Sequence, residues 1–178
     1  HVKLDGLLLP GHVSAIIGAN AYNKLVENYH VSAAIAGFEP IDILEAILKL
    51  VTLVVDKKSG LHTSYVRAVT DSGNEKAMAV MNEVFELCDS NWRGLGNIPS
   101  SGLSIRDELA LYDAGKKFKV DIEPTVEPVG CRCGEILSGL ALPSDCPLFG
   151  SKCTPDAPVC ACMVSSEGTC SAYYKYNE

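Results

Sequence analysis

The chain has 178 residues, 47% of them apolar, and a formal charge of −7. Its length suits one ordinary domain or a domain with a small module, and its apolar content can build a packed core. The acidic balance offers no basic face to nucleic acid or an anionic membrane. No apolar run reaches the roughly 18 residues of a spanning helix, because the longest candidate, 41–55, is broken by Asp42, Glu45 and Lys49.

Residue 1 is His1, and apolar sequence follows almost at once. Upstream sequence is therefore expected to be missing, and the lack of a signal peptide carries no information. Residues 4–9 predict a buried strand ended by Pro10-Gly11. A helix is expected over 12–29, with Val13, Ile16, Ile17, Leu25 and Val26 at helical spacing. Residues 31–38 predict a second buried strand. Pro40 then opens a helix, where its missing N–H costs nothing. Ile43, Leu44, Ile47, Leu48, Val51, Val54 and Val55 are expected to form that helix's apolar face.

A third strand is expected over 61–69. Ser72 and Glu75 have the spacing of a capping box, and the helix they start is expected to carry Ala77, Met78, Met81, Val84, Phe85 and Cys88 on one side. Residues 91–101 read as a polar, glycine-rich loop. Ser104 with Asp107 suggests a further helix to about residue 118. Strand, helix, strand in this order predicts a parallel sheet flanked by helices, a Rossmann-like three-layer α/β domain over 1–122. Such sheets place ligand sites at the C-terminal ends of their strands. Pro10-Gly11-His12 and Gly37-Phe38-Glu39-Pro40 both sit at such ends.

Residues 123–130 read as an extended linker containing Glu127 and Pro128. Periodicity disappears over 131–178, a stretch too short to fold on apolar burial alone. Of eight cysteines, Cys88 is expected to be a buried structural thiol in a helix, and the other seven fall here. Their spacing is Cys131-x-Cys133-x12-Cys146-x6-Cys153-x6-Cys160-x-Cys162-x7-Cys170. A cysteine-rich tail behind a cysteine-poor body favours metal or redox chemistry over a secreted disulfide framework. Soft thiolates suit iron–sulfur clusters or zinc, and the paired C-x2-C turns of common zinc knuckles do not occur. An iron–sulfur cluster, a structural zinc and disulfides all remain open on spacing. Seven thiols for four ligand positions leave a surplus that could serve as a redox dithiol. A zinc-stabilised interaction module without electron transfer is the competing reading. A thiol–disulfide oxidoreductase is a third, although no C-x-x-C stands at a helix start to activate a thiol.

Four stretches together resemble the HypD family of hydrogenase-maturation proteins. They are Asp5-Gly6-Leu7-Leu8-Leu9-Pro10-Gly11-His12-Val13, Gly37-Phe38-Glu39-Pro40-Ile41-Asp42, Trp92-Arg93-Gly94-Leu95-Gly96 with Ser101-Gly102-Leu103, and the tail from Cys131-Arg132-Cys133-Gly134 to Cys162-Met163-Val164-Ser165-Ser166-Glu167-Gly168. The resemblance implies a cytoplasmic scaffold that helps assemble the Fe(CN)2CO centre of nickel–iron hydrogenases. It implies that Cys131, Cys146, Cys153 and Cys170 ligate a [4Fe-4S] cluster and that Cys133 and Cys162 form a redox pair. The partners implied are a small HypC-type chaperone and a HypE-type cyanide donor. The transient cargo is an iron ion carrying cyanide and carbon monoxide. The family's N-terminal half is absent from this sequence. Cys160 stands where the resemblance leads one to expect glycine, a departure that bears on the ligand assignment because Cys160 could compete with Cys162 in a disulfide.

His12 could hydrogen-bond an iron-bound cyanide or assist proton transfer. The plainer alternative is a histidine capping or packing on the helix that follows. Glu39, near His12, could share that role, whereas Asp42 is accounted for by the helix dipole. Glu167 is a weaker candidate for carrying protons. Trp92 and Arg93 suit either a docking loop or a loop packed on its own domain. His30 and His62 are expected at the surface. Tyr173, Tyr174 and Tyr176 are expected to cover the cluster or the body.

Overall fold

A computed structural model describes residues 4–119 and 128–177. They divide into two compact units, Leu4–Val84 and the residues from Phe85 onward.

The first unit is built on β1 (Gly6–Pro10), β2 (Ser32–Ala36) and β3 (Gly60–Thr63), which form a parallel sheet in the order β1-β2-β3. Pairing runs Gly6 to Ser32 through Pro10 to Ala36, and Ser32 to Gly60 through Ile35 to Thr63. Every residue of β2 is buried. Side chains alternate across a strand, so Ala34 and Ala36 meet Ala46 and Leu50 on one face. Ile35 meets Ala19 and Val69 on the other. The sheet is therefore covered on both faces, and the small residues of β2 let the covering backbone approach closely.

The helix expected over 12–29 is divided. It comprises α1 (Gly11–Ile17), a 3-10 turn (Ala19–Tyr22) and α2 (Asn23–Tyr29). The break is Gly18, whose φ of +82° is left-handed and open to glycine without a Cβ penalty. A Cβ there would also lie 2.4 Å from the Asp71 carbonyl oxygen. Apolar spacing carries on through the break, which is why periodicity alone does not show it.

Helix α3 (Pro40–Val55) begins at its proline as expected, but it turns a different face inward. Asp42 and Ala46 are its buried residues, whereas Leu44, Ile47, Leu48, Val51 and Val55 are exposed. The alanine-rich β2 accepts a small contact surface, so the large side chains stay outside.

Asp42 is held by Arg67 through two charge-assisted bonds of 2.7 and 2.6 Å, the bidentate geometry that suits guanidinium and carboxylate. The Arg67 guanidinium also lies 4.6 Å from the centre of the Tyr65 ring. Arg67 holds the Asp42 carboxyl below its ordinary value of 3.8. A depressed folded-state value contributes stability above the unfolded value, and that contribution is lost as pH falls through the folded one. Urea midpoints of the native chain and Asp42→Asn are thus expected to differ by a steady amount at neutral pH. The gap should shrink below pH 3.8, and a gap that persists undiminished in acid would contradict this account.

β3 stops at Thr63 although a strand was expected to 69, because the Tyr65 carbonyl accepts bonds from Ala68 and Val69 in a turn. His62 lies within β3, opposite Ala34. Its Nε2 is buried without a hydrogen-bond partner, so it is not the surface histidine expected. His30 is exposed, at the left-handed end of α2. Helix α4 (Glu75–Val84) is capped by Asn74 Oδ1, which accepts from the Ala77 amide at 3.0 Å, in place of the expected Ser72–Glu75 box.

The second unit begins with a hairpin where a helix and a loop were expected. β4 (Phe85–Trp92) pairs antiparallel with β5 (Gly96–Ile105). Cys88 therefore lies in a strand opposite Gly102, half-buried. Helical spacing of apolar residues runs past Val84 into β4, and cross-strand pairing overrides it. The helix expected over 104–118 is instead a 3-10 segment (Asp107–Tyr112) followed by α5 (Ala114–Lys117). Asp113 divides them and caps α5 by accepting the Gly115 amide.

Residues 120–127, which hold most of the expected linker, lie outside the described residues. The chain continues into α6 (Cys133–Leu137), a 3-10 turn (Pro143–Asp145), α7 (Ala161–Val164) and α8 (Thr169–Tyr176). Among the described residues, no helix is long and apolar enough to cross a membrane.

Candidate functional site

The tail has a core made mainly of sulfur. Cys133, Cys146, Cys153, Cys160, Cys162 and Cys170 are buried together with Ile136 and Met163, and Cys131 packs against them half-buried. Short turns and helix ends place each thiol. The Cys131 amide closes a turn onto the Pro128 carbonyl, and the Cys146 amide closes one onto Pro143. The Cys153 amide donates to Leu148, while its carbonyl accepts from Gly150. Cys133 starts α6, Cys160 precedes α7, Cys162 lies within α7, and Cys170 is in the first turn of α8. Phe149 closes one side, with Tyr173 and Tyr174 edge-on at 5.9 and 5.8 Å. Tyr176 is exposed.

One thiol contact organises this core: Cys133 Sγ lies 3.0 Å from Cys162 Sγ, while Cys131, Cys133 and Cys160 border a common small cavity. Burial pushes the Cys131 and Cys170 thiols up to about 12 and raises Cys162 further, helped by its bond to Cys133. A buried thiolate without a countercharge is unfavourable, and a bound metal supplies such a charge. The Val159 amide already points at Cys153 Sγ from 3.4 Å.

Gly168 sets the position of Cys162. A Cβ at Gly168 would lie 2.2 Å from the Cys162 carbonyl oxygen, so only glycine lets the start of α8 pass so close to α7. The hairpin turn also reaches this core. Arg93 Nη2 donates to the Val159 carbonyl at 3.4 Å, and Arg93 lines a small cavity with Pro128, Cys131, Cys133 and Cys160. Trp92 Nε1 donates to Ser101 Oγ at 2.7 Å within the hairpin. The roles of Arg93 and Gly168 are not visible from residue type alone, although both lie in stretches that carry the resemblance.

Among the described residues, no three His, Cys, Asp or Glu side chains converge tightly enough to hold a single metal ion. A polynuclear cluster instead takes thiolates spread around its own volume. Fit is therefore judged on donor chemistry, and the residues that form this core are cysteines with Ile136 and Met163. That donor set suits iron–sulfur chemistry.

His12 and Glu39 belong to the first unit, and β1 and β2 are neighbours, so their C-terminal ends lie side by side. The His12 ring packs 5.1 Å from Phe38 between centroids. Glu39 Oε2 lies 3.3 Å from Arg67 Nη2, with the Glu39 side chain 75% exposed. Glu167 is exposed, and its amide donates to Ser165 Oγ.

The family model for HypD, described as the hydrogenase formation hypA family, matches residues 1–177. The chain belongs to this family. Among its relatives, the hydrogenase maturation factor HypD of Cupriavidus necator is 46% identical over 98% of this chain. Those of Rhizobium leguminosarum bv. viciae and Escherichia coli K12 are 45% and 40% identical over the same share. The chain spans 46%, 46% and 47% of these three relatives in turn, about half the length of each.

Proposed function

We propose that this chain is the cluster-bearing half of a scaffold on which the Fe(CN)2CO centre of nickel–iron hydrogenases is assembled. Cys131, Cys146, Cys153 and Cys170 would hold a [4Fe-4S] cluster, making 131–178 a cofactor module joined through 123–130 to a Rossmann-like domain over 1–122. The cluster supplies one-electron redox chemistry when bound. The observation that carries the reading is the 3.0 Å contact between Cys133 and Cys162 inside the buried sulfur core.

Those two thiols are a dithiol ready to act. As their S–S bond forms, the pair releases two electrons and two protons, and the reverse step takes them up. The pair's two electrons would serve the reductive transfer of cyanide from a partner to an iron cargo, and the disulfide would return to the dithiol with two electrons drawn singly from the cluster. In the full-length protein a small HypC-type chaperone shares the grip on that iron, and a HypE-type partner donates cyanide. His12 and Glu39 supply hydrogen bonding and proton handling at the strand ends. The setting proposed is cytoplasmic, where free thiols persist, and the role is that of an accessory factor.

The test is the absorption spectrum of chain purified without oxygen, with iron and sulfide assayed on the same sample. A broad band near about 400 nm and about four irons and four sulfides per chain are expected. A colourless chain holding one zinc would replace this reading with that of a zinc-stabilised interaction module.

A further inference from the structure

Cys160 is the thiol that the family reading leaves without a task. It is 3% exposed, the most buried of the cysteines in this core. It is buried in one cluster with Cys162 and Cys170, and Cys131 packs against that cluster. Cys131, Cys133 and Cys160 border one cavity. Arg93 holds the carbonyl of Val159 immediately before Cys160, which fixes the approach to α7. Cys131, by contrast, is the half-buried member of the set. It also borders an open cleft with Gly94, Leu95, Arg132 and Glu135. Two cysteines that border one cavity, one inside and one at the edge, can present a sulfur lone pair to the same neighbouring iron.

We propose that Cys160 is an alternative cluster ligand that can replace Cys131, with Cys146, Cys153 and Cys170 common to both states. This rests on the cluster reading above. The exchange is redox-neutral. Cys160 gives up its thiol proton as its sulfur–iron bond forms, and Cys131 takes up a proton as its own bond breaks. The attachment moves from the cleft edge to the interior, beside α7, which carries Cys162. Four-cysteine sites of this kind need four thiolates, and this chain has a further buried thiol on the same cavity as the outermost.

Anaerobic reconstitution with ferrous iron and sulfide tests the exchange, read as iron and sulfide per chain and visible absorption. The chains compared are native, Cys131→Ala, Cys131→Ser, Cys160→Ser, Cys131→Ala/Cys160→Ser and Cys146→Ser. Alanine supplies no ligand atom, and serine keeps the size and polarity of the thiol, so misfolding in one replacement of Cys131 does not decide the result. Cys160→Ser and at least one of the Cys131 single variants should keep most of the native iron and sulfide. The double variant should lose them as Cys146→Ser does. If both Cys131 variants, or Cys160→Ser, empty as completely as Cys146→Ser, interchangeability is overturned. A native chain that takes up no iron and sulfide overturns the cluster reading itself, and this inference with it.

Discussion

Cys133→Ser in the full-length protein is expected to leave the visible absorption of the cluster intact and to reduce hydrogenase maturation to background. Serine is close to cysteine in size, and its hydroxyl can still donate to the Cys162 sulfur that now lies 3.0 Å away. Packing in the core should therefore survive. What is lost is the S–S bond, and with it the only way for this pair to exchange two electrons. Cys162→Ser should give the same phenotype. Cys88→Ser is the control, because Cys88 lies in the hairpin opposite Gly102, apart from the sulfur core. The paired measurements are hydrogenase activity in cells and the spectrum of the purified variant. Normal activity in Cys133→Ser would sink the relay, whatever the cluster content.

Gly168→Ala is expected to destabilise the cysteine module by about 1–3 kcal/mol, the usual cost of forcing extra volume into a packed interior. The backbone at Gly168 is ordinary, with φ of −69° and ψ of 143°, so the effect is steric. The added methyl would lie 2.2 Å from the Cys162 carbonyl oxygen and 2.7 Å from its carbon. Those are backbone atoms and cannot swing aside as a side-chain tip can. Relief requires α7 and the start of α8 to move apart, which disturbs the placing of Cys162 against Cys133. The variant should show a lower urea midpoint and a less readily formed Cys133–Cys162 disulfide in a glutathione buffer. An unchanged midpoint with unchanged disulfide formation would falsify the claim that Gly168 positions this thiol.

The first two strands and the start of α3 were legible because each signal is local. A short run of small and branched residues between Gly or Pro boundaries gives a buried strand, and Pro40 marks a first helical turn. The gathering of the tail cysteines was legible from their crowding. The hairpin was not. Residues 77–88 carry helical spacing into β4, and what ends the helix at Val84 is pairing of 85–92 with residues 96–105, which no local window contains. The inward face of α3 was misread for a related reason. Hydrophobicity points to Leu44, Leu48 and Val51, but β2 offers Ala34 and Ala36, and only a small residue such as Ala46 fits there. The cavity that Cys131 shares with Cys160 was also hidden, since it joins positions far apart in the chain.

The sulfur core makes one set of atoms answer for two properties. A thiol is a small apolar packing group and also the most readily oxidised group in the chain. Whatever alkylates or oxidises these cysteines therefore removes reactivity and cohesion together. The Leu4–Val84 unit contains no cysteine and rests on its paired strands, the apolar clusters on both faces of its sheet and the Asp42–Arg67 bond. One part of the molecule is vulnerable to oxidants and the other to acid, so a single chain carries two separate modes of ageing.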